Sequence, residues 1–85
     1  SLPPNHPDLA NSYSNMGSVY NNMGEHKQAL SFYQQAIDIR KKSLPPNHPD
    51  LANSYSNMGG VYYKMGLPSE SLLLLRKAIS IFESC

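Results

Sequence analysis

Residues 1–17, SLPPNHPDLANSYSNMG, recur unchanged as residues 43–59, an offset of 42. A fixed-period repeat restricts the fold more than composition does, because one unit must then pack against a near-copy of itself. The register continues beyond the copied block, pairing Val19 with Val61, Tyr20 with Tyr62, Met23 with Met65, Gly24 with Gly66, Leu30 with Leu72 and Ile37 with Ile79. Two units are therefore expected, residues 1–42 and 43–85, with first halves nearly the same and second halves diverged. The chain starts in phase with the repeat, and an excised stretch of a longer array is the expectation drawn from that.

Each unit reads as helix, tight turn, helix. Leu9, Tyr13, Met16, Tyr20 and Met23 step by four and three, an apolar stripe at helical spacing. Asn5 or His6 can cap this helix, Pro7 suits its first position, and Asp8 opposes the positive end of its dipole. Pro3 and Pro4 keep a preceding helix from running through, and Gly24 supplies a left-handed stop. In the second segment Ala29, Tyr33, Ala36 and Ile37 share one face, while Phe32 and Ile39 begin another. Arg40, Lys41 and Lys42 stand at its C-terminus, where cations offset the dipole. The pattern predicts helices over about 7–23, 25–42, 49–65 and 69–84, an all-α chain.

Composition removes several function classes. The net charge is +1, too small to attract nucleic acid or an anionic membrane surface. Cys85 is the single cysteine, so no disulfide forms within the chain, and a reducing, cytoplasmic setting is expected. The longest apolar run, Leu72–Leu75, falls far short of the roughly 20 residues that cross a bilayer.

His6 with Asp8 and His48 with Asp50 raise the question of a metal, with His26 elsewhere. Two potential ligands two residues apart at a proline-bearing helix start lack closed-site spacing, so helix capping is the reading and no metal or cofactor is expected. No serine sits on a strained elbow. Gly59-Gly60 has no Lys-Ser after it and is no phosphate loop; Gly60, in place of Ser18, is read as a helix-packing position. The expectation is a non-enzymatic protein.

Tyr13, Met16, Gly17, Tyr20, Gly24, Ala29, Tyr33 and Ala36 together resemble the tetratricopeptide repeat, in which an aromatic, a Leu-Gly pair, a Tyr, a turn Gly, an Ala, an aromatic and an Ala occupy these offsets. The ordinary unit has 34 residues, and the 42-residue unit with its His-Pro-Asp entry resembles the kinesin light chain type. The second unit departs from the pattern at Ser71 and Leu75, which replace Ala29 and Tyr33. The resemblance implies two helix-turn-helix units stacked as part of a right-handed superhelical solenoid, with first helices lining a concave groove that takes an extended peptide.

On the first helix Asn11, Ser14, Ser18 and Asn21 step by three, four and three away from the core stripe, with Asn22 adjacent. Their counterparts are Asn53, Ser56, Gly60, Tyr63 and Lys64. The resemblance makes these the candidate peptide contacts, and asparagine amides can both donate to and accept from a peptide backbone. Lys64 is the only cation among them, so a neutral extended segment fits better than an acidic tail. A structural spacer or self-assembling array with no dedicated ligand is the alternative. The last helix is apolar nearly all round, and Leu73, Leu74, Ile81 and Phe82 are expected to be covered by end-to-end association or helix exchange between copies.

Overall fold

The computed structural model describes residues 7–83. It consists of four α-helices, α1 (Pro7–Asn22), α2 (His26–Ser43), α3 (Pro49–Lys64) and α4 (Pro68–Glu83), with no strand among the described residues. Asn5, His6, Pro3 and Pro4, to which capping and helix-blocking roles fall at the first entry, and Cys85 lie outside the described residues.

The two tight turns share one chemistry. Gly24 and Gly66 have φ of 80° and 78°, a left-handed conformation that a Cβ would strain. Gly24 N–H donates to Asn21 O at 3.1 Å and Glu25 N–H to Tyr20 O at 2.9 Å; Gly66 and Leu67 repeat these bonds to Tyr63 O and Tyr62 O at 3.0 and 2.9 Å. Such paired bonds satisfy carbonyls that the helix end leaves open. At the longer connection His48 is the N-cap of α3, its Nδ1 accepting from Asp50 N–H at 3.1 Å. His48 thus caps the helix, and Asp50 supplies the capped N–H and an acidic side chain in its first turn.

The helices pack in chain order, α1 on α2, α2 on α3 and α3 on α4. Between α1 and α2 lie Ala10, Ala36 and Ile39, with Leu9 and Tyr13 beside them. Between α2 and α3 lie Ala29, Tyr33, Ile37, Met58 and Val61, flanked by Leu30 and Met65. Ile37 and Val61 are fully buried, each contributing about 1.5–3 kcal/mol relative to exposure.

Gly17 is where α1 and α2 come closest: a Cβ there would lie 2.9 Å from Cδ1 and Cε1 of Tyr33. Gly59 plays the corresponding part in the second pair, 3.3 Å from Leu75 Cγ and Ser71 O by the same measure. Gly60 does not: nothing lies within 4 Å of the Cβ it lacks. The packing role read for Gly60 in the sequence is therefore corrected, since its Cα points away from α4 and only Gly59 faces it.

A second correction concerns the α1 stripe. Met16 and Met23 are exposed, at 42% and 65%, and the residues turned into α2 include Ala10, Tyr13, Gly17 and Tyr20. Phe32 of α2 lies over both tyrosines, with ring centroids 6.2 Å from Tyr13 and 5.3 Å from Tyr20. Offset stacks of this kind add about 0.5–1.5 kcal/mol per pair beyond area burial.

Candidate peptide-binding face

On α3 the helix period separates three directions. Ser54, Met58 and Val61 turn toward α2; Ala52, Tyr55 and Gly59 turn toward α4; Asn53, Ser56, Gly60 and Tyr63 are left facing neither. Tyr63 is 72% exposed, Asn53 and Lys64 are exposed, and Ser56 is half-buried. The α3 members of the candidate set thus form one outward stripe along the helix.

The α1 members are differently placed. Arg40, near the C-terminal end of α2, reaches across with its guanidinium. Its Nη2 donates to Asn11 Oδ1 at 2.9 Å, and its Nη1 to Ser14 Oγ at 3.2 Å and to Ser54 Oγ of α3. Ser54 in turn donates to Asp50 O at 2.9 Å, which satisfies a hydroxyl with no exposure at all. Ser18 Oγ lies 2.9 Å from the Tyr33 hydroxyl. Asn21 Oδ1 is buried without a hydrogen-bond partner, whereas Asn22 is exposed. Asn11, Ser14 and Ser18 are therefore tied into the helix packing, while Asn53, Tyr63 and Lys64 are presented to solvent.

Arg40 was legible in the sequence only as a cation opposing the α2 dipole. Its further role as a polar latch joining α1, α2 and α3 needs the spatial approach of Ser54, which no spacing announces. At the other end of the period Phe82 stands where Arg40 does, 42 residues on, so the latch has no equivalent on α4.

The residues expected to mediate self-association are also scattered. Leu73 and Phe82 are exposed, at 61% and 48%. Leu74 is half-buried against the α2–α3 core. Ile81 lines a surface hollow of about 350 Å³ with Leu51, Tyr55, Lys41 and Pro46. A second hollow of about 310 Å³ lies further along α3 and α4, lined in part by Met58, Tyr62, Leu73 and Lys77. Lys77 Nζ stands 5.5 Å from the Tyr55 ring centroid, a cation over an aromatic face. Leu72, Leu75 and Ile79, which lie outside the set expected to mediate self-association, are exposed at 50%, 38% and 55%.

Among the described residues no three His, Cys, Asp or Glu side chains come together in a metal-holding group, and no helix is long and apolar enough to cross a membrane. Helix pairs that repeat with glycine turns and a glycine at each crossing define a helical repeat protein. A family model described as Tetratricopeptide repeat matches residues 4–84, and the chain belongs to the tetratricopeptide repeat family. Repeats of this family generally mediate protein–protein interaction. A comparison with curated proteins returned no match.

Proposed function

We propose that this chain is part of a non-catalytic interaction scaffold whose α1/α3 face receives an extended, uncharged peptide segment. The observation that carries the reading is the α3 stripe. Asn53, Ser56, Tyr63 and Lys64 align on one side of the helix, and their side chains make no hydrogen bond to another described residue, so those side-chain donors and acceptors remain available. Tyr63 offers an exposed ring as a shallow apolar contact beside them. In this reading, residues 1–42 and 43–85 are successive units of a right-handed superhelix of the kinesin light chain type. The setting is cytoplasmic, and the partner is neither nucleic acid nor membrane.

One observation favours the spacer reading instead. Arg40 already occupies Asn11 and Ser14, so half of the polar stripe holds the array together. The two readings part under mutation. Extended peptides selected from a displayed library on this chain should lose retention when Asn53 and Tyr63 become alanine, with the melting curve unchanged. Selected peptides that bind both proteins equally would reject the α1/α3 face as the binding surface.

A further inference from the structure

The two helix pairs differ where an aromatic ring has become a leucine. In the first pair Phe32 stacks on both Tyr13 and Tyr20; the corresponding residues 42 positions on are Leu74, Tyr55 and Tyr62. Beside the smaller side chain lies the hollow of about 310 Å³, with Met58, Tyr62, Leu73 and Leu74 in its lining and Gln34 of α2 on its far wall. Glu70 and Lys77 of α4 belong to the same hollow.

This side of α4 is not open because α4 is the last described helix. The same register on α2 holds Gln28 and Ser31, and both are exposed although α3 and α4 follow that helix. Leu73 stands at the position of Ser31 and is 61% exposed. The hollow also has helices of both units for walls, so it lies between them and not beyond either.

Charge on this side is symmetric about the Leu73-Leu74 pair. Glu70 precedes Leu73 by three residues and Lys77 follows Leu74 by three, which sets the two charges on one side of the helix, roughly 10 Å apart along its axis. Both are exposed. Among the described residues Glu70 has no ion-pair or hydrogen-bond partner, and Lys77 meets only the Tyr55 ring. A second α4 laid antiparallel, with a two-fold axis between Leu73 and Leu74, brings each Glu70 opposite Lys77 of the other copy. Each Leu73 then meets Leu74 of the other copy beside the hollow. The corresponding α2 residues Gln28, Ser31, Phe32 and Gln35 carry no charge, so α2 lacks this arrangement.

We propose that two copies of this chain associate through the Glu70–Leu73–Leu74–Lys77 side of α4 as an antiparallel, two-fold dimer. A second copy is the occupant because one stripe supplies both signs of charge in the order that a two-fold axis requires. The same surface serves both partners, so the contact closes at two copies. It is independent of peptide binding, since Asn53, Tyr63 and Lys64 take no part. It is also separate from the packing of successive helix pairs, which uses the register of Tyr33 and Ile37, occupied on α4 by Leu75 and Ile79. One helix from each copy makes a small contact, at the weak end of specific interfaces, so monomer and dimer should exchange as concentration varies.

Charge reversal tests the arrangement. Sedimentation velocity of the 85-residue chain should show a monomer–dimer equilibrium and nothing larger. Glu70→Lys and Lys77→Glu each set like charges together at both ends of the contact, and each alone should weaken the dimer by about tenfold or more. Mixed in equal amounts, the two variants should form a heterodimer of parental strength, because every lysine then faces a glutamate. A chain carrying both reversals should dimerise as the parent does. Both positions are exposed, so the helical circular dichroism spectrum should not change. Should a reversal fail to fold, Leu73→Gln tests the centre of the contact and should abolish the dimer. Three outcomes overturn the proposal. One is a parent chain that stays monomeric at millimolar concentration, which would leave the hollow to a helix of another protein. Another is growth of the parent beyond a dimer. The third is a mixture no stronger than its two folded components.

Discussion

The same substitution at two glycines in corresponding helices should change stability in opposite directions. Gly60 lies within α3 with nothing near its missing Cβ and no left-handed φ. Alanine there removes only the excess chain entropy that glycine loses in a helix, a gain of about 0.5–1 kcal/mol. For a domain of this size that gain raises Tm by about 2–8 °C. Gly17 in α1 would bring the same entropic gain, but its Cβ would stand 2.9 Å from two ring carbons of Tyr33. That ring has little room to retreat: Tyr33 is 3% exposed and its hydroxyl pairs with Ser18. Overpacking of this kind costs about 1–3 kcal/mol, so Gly17→Ala should be neutral at best and destabilising by up to about 2.5 kcal/mol. Urea and thermal melts followed at 222 nm read both effects. The reasoning is refuted if Gly17→Ala stabilises as much as Gly60→Ala, or if Gly60→Ala lowers Tm.

Removal of the latch by Arg40→Met should cost about 1.5–3 kcal/mol, the range for hydrogen bonds to a charged donor, and a double-mutant cycle with Ser54→Ala should show coupling above about 0.5 kcal/mol in urea melts. Phe32→Leu should cost at least about 1–3 kcal/mol through two lost aromatic contacts, measured the same way; a loss below that range would mean the stacked rings contribute only area. His48→Ala should destabilise by about 0.5–1 kcal/mol as a lost N-cap, whereas His48→Asp should restore the cap, and equal melts for the two would contradict the capping role.

Much of this architecture could be read from letters alone, and the parts that could not share one cause. The turns at Gly24 and Gly66 follow from local backbone requirements, so the helix pairs are legible without a structure. Burial depends instead on what stands next door. Met16 and Met58 lie at corresponding places in the two copies of the seventeen letters, yet one is at the surface and the other in the core, because among the described residues α2 is laid over α3 and no helix is laid over Met16. A stripe stepping by three and four also fits two adjacent faces of a helix about equally. Leu9–Tyr13–Met16–Tyr20–Met23 therefore crosses the boundary between the side facing α2 and the side facing away. The candidate face shows the same limit. Asn11 and Asn53 are equivalent in sequence, but only Asn11 lies within reach of a guanidinium, since α4 carries Phe82 at the position of Arg40. Local chemistry names the polar stripe; the neighbouring helix decides which of its members is spoken for.

The surface that receives a partner can be located by amide chemical shifts, with a library-selected peptide titrated into isotope-labelled chain. The account predicts that shifts concentrate on Asn53, Ser56, Gly60, Tyr63 and Lys64 and fade across the opposite side of α3. Shifts gathered instead on Tyr55, Leu73, Lys77 and Ile81, along the hollows between the second helices, would contradict it.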